Sequence, residues 1–165
     1  MKPILTSILL LISMGFFSSC SVTNIYLVRH AEKADSSSAS LLTPQGEQRA
    51  IALRDTLLNK DIDSIYTTNY NRTQLTAKPL ADALKKDIIT YQPDKNFSAH
   101  LKKLKGKNVL VVGHSNTIPE IIQYITTKNI QIGDDDFDNL YIIRIKRFLN
   151  LNISLESKTY GATSP

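Results

Sequence analysis

Asn108-Val109-Leu110-Val111-Val112-Gly113-His114-Ser115-Asn116-Thr117 runs from a strand into a helix through one glycine and one histidine. A continuous apolar run of this kind suits a strand buried on both faces. From Thr117 to about Thr127 the pattern is helical, with Pro119 tolerated in the first turn. The same alternation recurs upstream. Residues 24–29, 63–68 and 88–91 read as strands, the last stopped by Pro93. Thr43 and Pro44 are the N-cap and first position of a helix with an apolar stripe through Ala50, Ile51, Leu53, Leu57 and Leu58. Residues 71–86 read as a second helix and a stretch around Phe97, Leu101 and Leu104 as a short third one, ending near Gly106. Downstream, residues 140–145 and 150–155 suggest a hairpin. With no internal repeat and no linker, the expectation is one α/β domain over residues 24–165. It should be a three-layer sandwich, with helices on both faces of a mostly parallel central sheet and hairpin-like strands at the C-terminus.

Composition supports a folded domain and excludes several classes. The chain has 165 residues, 42% of them hydrophobic and 21% charged, enough to bury one core. A single cysteine excludes an intramolecular disulfide and a Cys-based zinc cluster. The net charge of +5 comes mostly from lysines dispersed along the chain. That argues against a dedicated nucleic-acid binder, which would gather cations on one face.

The first twenty residues read differently from the rest. Lys2, an apolar run from Ile4 to Phe17, and the small residues Ser18 and Ser19 before Cys20 make a secretory signal. The run falls short of the roughly 20 apolar residues that span a bilayer. Phe17-Ser18-Ser19-Cys20 resembles a bacterial lipobox, with Phe17 in place of the usual Leu. That resemblance implies a signal peptide over residues 1–19 and a lipid anchor on Cys20. The protein would then be exported and membrane-anchored, facing the periplasm or the cell surface. From Cys20 onward 146 residues remain, with 19 basic and 15 acidic side chains, a charge of +4.

The chemistry collects at strand ends. Arg29-His30 falls where the first strand stops, Arg72 just after the second, and His114 directly after the buried strand. In open α/β sheets, ligands bind beyond the carboxyl ends of the strands, so two arginines and two histidines converge on one edge. Arginine forks match phosphate oxygens and stay charged. A histidine attacks phosphorus only through an unprotonated ring nitrogen. At a pKa of about 6.5 roughly three quarters of it is neutral at pH 7, and neighbouring arginines raise that fraction. Gly113-His114-Ser115-Asn116-Thr117 also opens a helix, whose free N–H groups favour an anion. These residues read as a phosphate site containing a nucleophile.

They also resemble a known family. Leu27-Val28-Arg29-His30-Ala31-Glu32-Lys33 looks like the Arg-His-Gly-Glu signature of the histidine phosphatase superfamily, the phosphoglycerate-mutase-like proteins. Residues 42–50 resemble its Leu-Thr-Pro-x-Gly helix start. Residues 71–77 resemble its Arg-Thr-x-Gln-Thr-Ala segment, with Leu75 for a more usual Gln, and residues 111–116 its second histidine motif. Residues 137–141 and Tyr160-Gly161 are similar to the tail of small members. The resemblance implies that His30 takes the phosphoryl group as a phosphohistidine, which water then hydrolyses. It implies that Arg29 and Arg72 hold the phosphoryl oxygens and that His114 completes the pocket. Lys33, Thr43, Ser115 and Asn116 are candidate substrate contacts.

A general acid for the leaving group is named by no motif; Asp94, after the third strand, is the first candidate and Glu32 the second. A substrate such as a phosphoramidate, whose leaving group departs easily, needs none. Asp134-Asp135-Asp136-Phe137-Asp138 has the alternation of a calcium loop, but Asn139 replaces the turn glycine and Ile145 the bidentate Glu, so it reads as a solvated loop. His100 and the run Lys102, Lys103, Lys105 and Lys107 read as surface. No metal and no cofactor is expected.

Only 41 residues separate Arg72 from His114, too few for the long insertions that build a lid in phosphoglycerate mutases. An open site favours hydrolysis, because a mutase must exclude water while the histidine is phosphorylated. The expectation is a phosphatase acting on a small phosphorylated substrate or a phosphoprotein, either a phosphomonoester or a phosphoramidate. The alternatives are a mutase-like phosphotransferase and a non-catalytic, membrane-anchored binder of phosphorylated ligands.

Overall fold

The computed structural model describes residues 21–148 and 150–164. The expected signal peptide and the Cys20 anchor lie outside them. The elements run β1 (Ser21–Arg29), α1 (Pro44–Leu57), β2 (Ser64–Thr67), α2 (Asn71–Leu84), β3 (Ile88–Thr90), α3 (Lys95–Lys103), β4 (Asn108–Gly113), α4 (Thr117–Thr126), β5 (Asn139–Arg147) and β6 (Leu151–Thr159). They build one six-stranded sheet in the order β3-β2-β4-β1-β5-β6. No described helix is long and apolar enough to cross a membrane.

Four strands, β3, β2, β4 and β1, are parallel; β5 pairs antiparallel with β1, and β6 antiparallel with β5. The expectation of a mostly parallel sheet therefore needs correction to a mixed one. Each parallel strand requires a helical crossover, whereas the short connection after β5 returns the chain antiparallel. The expected hairpin is present and longer than the sequence pattern suggested, with nine residues in each strand.

The continuous apolar runs are explained by helices on both faces. Ile25 and Leu27 of β1 and Val109 and Val111 of β4 pack with Leu101 of α3 and with Ile118, Ile122 and Ile125 of α4. Tyr26, Val28, Leu110 and Val112 point the other way, onto Leu53 and Leu57 of α1 and Leu80 of α2. Fully burying each such aliphatic side chain contributes about 1.5–3 kcal/mol. Both cores are made within residues 25–160, so the segment beginning at Ser21 holds the whole described fold.

The start of α1 is docked onto the segment that follows His30. The Thr43 hydroxyl caps the helix by accepting from the Gly46 N–H at 3.1 Å, and the Thr43 N–H donates to the Glu32 carbonyl at 2.9 Å. A Cβ at Gly46 would lie 2.3 Å from that same carbonyl oxygen, so only glycine permits this approach.

Candidate active site

Arg29, His30, Lys33, Arg72, His114, Ser115 and Asn116 line one cleft of about 470 Å³ at the carboxyl ends of the parallel strands. Backbone pairing fixes its floor: Arg29 lies opposite Gly113, and the His30 N–H donates to the Gly113 carbonyl at 2.9 Å. Gly113 is tightly enclosed, since a Cβ there would come within 3 Å of Thr117, Ile118 and Tyr91 side-chain atoms.

His30 is only 3% exposed. Its Nδ1 lies 2.7 Å from the Ala31 carbonyl oxygen; a carbonyl only accepts, so Nδ1 carries the proton and Nε2 the lone pair. Burial, helped by Arg29, His114 and Arg72, pulls its pKa down to about 3 and keeps the ring neutral. Ala31, where the resembled signature has glycine, has an ordinary negative φ. Its N–H donates to the Thr76 hydroxyl at 2.9 Å, and its methyl packs with Leu42, Ala50 and Leu75.

The second histidine is set by a chain of hydroxyls. Thr73 gives its hydroxyl proton to the Thr68 and Tyr70 carbonyls, so Thr68 donates to Thr73 Oγ1 across 3.1 Å. The Thr68 oxygen then accepts from His114 Nε2 at 2.8 Å. His114 Nδ1 is left with its lone pair toward Arg72 Nη2, 3.5 Å away. Burial, then Arg72, Arg29 and Lys33, lower the His114 pKa to about 4. The two imidazoles meet edge to face with centroids 5.4 Å apart.

The arginines are held from outside the motifs. Arg29 Nη1 donates to the carbonyls of Gly133, Asp134 and Asp136 at 2.6, 2.7 and 3.3 Å, and its guanidinium stacks 4.2 Å over Phe137. Burial works against its charge, and Asp134, Asp136 and Asp135 support it. Arg72 donates to the Ser37 carbonyl at 3.2 Å and stacks 4.3 Å over Tyr70. The Nε of each arginine is buried without a hydrogen-bond partner, a donor left for an oxyanion.

Three expected site residues are placed elsewhere. The Asp94 carboxylate caps α3, accepting from the Phe97 N–H at 2.8 Å, and does not line this cleft. Both Glu32 oxygens are engaged by Arg49 at 2.7–3.0 Å, in a pair whose side chains are 13% and 1% exposed. Thr43 serves as the α1 cap rather than a cleft wall. The one carboxylate lining the cleft among the described residues is Asp134, from the loop read as merely solvated. That loop's part in holding Arg29 is played by carbonyls, which no residue pattern announces; the signal available was the position of Phe137 beside the aspartates. Among the described residues no group of three His, Cys, Asp or Glu could hold a metal ion.

Residues 25–98 match the sequence model of the histidine phosphatase superfamily (branch 1), and no curated protein sequence matches the chain. Among solved structures, the protein histidine phosphatase SixA, complexed with tungstate, is 16% identical with a TM-score of 0.66, over 82% of this chain and 96% of its own. Bacillus stearothermophilus YhfR is 15% identical with a TM-score of 0.65, over 81% and 96%. A mycobacterial glucosyl-3-phosphoglycerate phosphatase with inorganic phosphate is 10% identical with a TM-score of 0.62, over 81% and 95%. The chain thus carries the sequence pattern of the histidine phosphatase superfamily over residues 25–98 and shares the fold of these solved structures along most of its length.

Proposed function

We propose that the chain is a phosphatase that acts through a phosphohistidine on His30, with phosphoramidates such as protein phosphohistidine as its preferred class of substrate. The observation that carries this reading is the cleft itself, where a buried neutral imidazole with Nε2 unprotonated stands beside two arginines with unpartnered Nε donors. His30 Nε2 attacks phosphorus as the bond to the leaving group breaks. Arg29 and Arg72 take up the charge on the phosphoryl oxygens. A bound dianion favours the imidazolium of His114, which then donates from Nδ1. Water next attacks the phosphohistidine, releasing phosphate and restoring His30.

The substrate class follows from the leaving group. An alkoxide needs a proton delivered as it departs, and among the described residues Asp134 is the one carboxylate lining the cleft. The nitrogen of a phosphoramidate, once protonated, leaves without such help. SixA, whose fold is shared, is named a protein histidine phosphatase. The stretch from Arg72 to His114 is taken up by α2, β3, α3 and β4, with no room in it for a mutase-type insertion.

Phosphate release from phosphoramidate and from an aryl phosphate by residues 21–165 is the test. We expect release from both, faster from phosphoramidate, none above background with His30→Ala, and trapped acid-labile phosphate on the parent alone. Asp134→Asn should slow an alkyl phosphate and leave phosphoramidate within about twofold, well under one tenfold step of barrier. Undiminished release by His30→Ala sinks the mechanism. Phosphoryl exchange between acceptors with little free phosphate points to a transferase instead. Binding of phosphate without turnover by any substrate points to the binder.

Export and acylation of Cys20 belong to the same proposal, supported by the motif in residues 17–20. Cys20→Ser should leave an unprocessed or soluble protein; unchanged membrane retention overturns it.

A further inference from the structure

We infer that the end of the domain opposite the cleft is a surface for anionic lipid bilayers, one that binds without any acyl chain. The lysines dispersed in sequence are gathered in space. All four parallel strands begin at this end, and three of the four helices finish with basic connections there. Lys85 and Lys86 follow α2, four lysines lie between Lys102 and Lys107, and Lys128 follows α4. Counting the last turn of each helix, the connections after α1, α2 and α3, the start of the connection after α4 as far as Lys128, and the end of β5 from Lys146, this pole carries 11 Lys and Arg against 5 Asp and Glu. Its net charge of +6 exceeds the +4 of the chain from Cys20 onward, so the rest of the domain, cleft included, is net −2.

The pole also holds exposed apolar side chains within the basic field. Phe148 and Leu151 flank the β5–β6 turn and are each 56% exposed, and Val22 is 37% exposed. Leu151 shares its face with the lysine run: it pairs with Arg147 across the sheet, and Arg147 donates to the Leu104 carbonyl at 2.8 Å and to the Lys102 carbonyl. On the other face of the sheet at this pole, Val22 pairs with Lys146, so a cation stands beside an apolar side chain there too. Cations around protruding apolar residues fit a bilayer interface, where headgroups meet the charge and acyl chains the side chains. Nucleic acid would leave Phe148 and Leu151 without a role. Ser21, the residue after Cys20, starts β1 at this same pole. A nine-residue strand therefore puts the cleft about 30 Å away, facing outward. The inference does not depend on the phosphatase reading.

Vesicle sedimentation with residues 21–165 tests it, the leader being absent. Phosphatidylcholine vesicles containing phosphatidylglycerol should carry the protein down and pure phosphatidylcholine should not, with binding weakened tenfold or more by high salt. Lys86→Glu, Lys103→Glu, Lys105→Glu and Lys128→Glu combined should abolish binding. Phe148→Ser with Leu151→Ser should weaken it several-fold and leave the salt dependence unchanged. Thermal unfolding verifies that both variants are folded, whether or not the protein has turnover. Absence of binding to anionic vesicles, or unchanged binding by the folded variants, overturns the inference. So does tighter binding to duplex DNA or RNA than to vesicles.

Discussion

Glu32 follows the proposed nucleophile by two residues, yet its carboxylate is committed to structure. Arg49 engages both oxygens, and its Nη1 donates to the Tyr160 and Ala162 carbonyls at 3.2 and 2.9 Å. One guanidinium thus ties α1, the segment after His30 and the C-terminal tail together. Removing one partner leaves the other charge buried, which costs about 3–5 kcal/mol. Arg49→Ala should therefore lower the melting temperature by roughly 10 °C. Glu32→Gln, which keeps an acceptor for Arg49, should cost less and retain phosphatase activity per folded molecule with an unaltered alkaline limb of the pH profile. A Gln variant that folds normally but loses turnover with alkyl phosphates would make Glu32 the acid after all. Asp94 shows the same ambiguity. Strand, proline, aspartate is a pattern shared by catalytic loops and helix caps, and here the carboxylate accepts from the Phe97 N–H at 2.8 Å as a cap does.

At the level of elements, legibility followed periodicity and proximity. β4 and its histidine could be read directly because a six-residue strand buried on both faces leaves no polar position to confuse the pattern. Arg29, His30, Arg72 and His114 could be placed because each lies within a few residues of a strand end, so the chain itself carries it to the sheet edge. The mixed sheet was less legible. β5 is apolar on consecutive residues from Leu140 to Ile143 like the parallel strands, and only Arg144 and Lys146, exposed on one face, mark it as lying farther from the covered centre. The segment 133–137 escaped because its grip on Arg29 uses backbone carbonyls and a ring face, neither of which depends on the aspartates that made the stretch look solvated. Thr68 escaped for a related reason. Its value lies in orienting His114 through a relay with Thr73, a contact between residues 46 positions apart.

For the whole molecule, holding two histidines neutral makes folding itself depend on pH. His30 and His114 titrate at about 3 and about 4 in the folded protein, against about 6.5 when unfolded. Between those values the unfolded chain binds two protons that the folded one refuses, so stability rises with pH through the window. The contribution is fully present above about pH 6.5 and is lost as pH falls toward 4, at up to about 2.7 kcal/mol per pH unit while both rings differ. Asp63, held below its usual range by the Asn108 N–H and Lys107 despite partial burial, adds a loss in the same direction at lower pH. Asp136, raised by burial and by Asp138, works the other way. Urea midpoints should accordingly fall steadily from pH 7 to pH 4.5. Inorganic phosphate should flatten that fall, because an anion between the arginines and the rings raises both folded pKa values. Replacing both histidines by Asn should remove most of the slope. A stability profile flat from pH 7 to 5 would mean that the rings protonate freely in the folded state. The cleft would then be wetter than its 3% exposure at His30 implies, and the nucleophile would need deprotonation before it attacks.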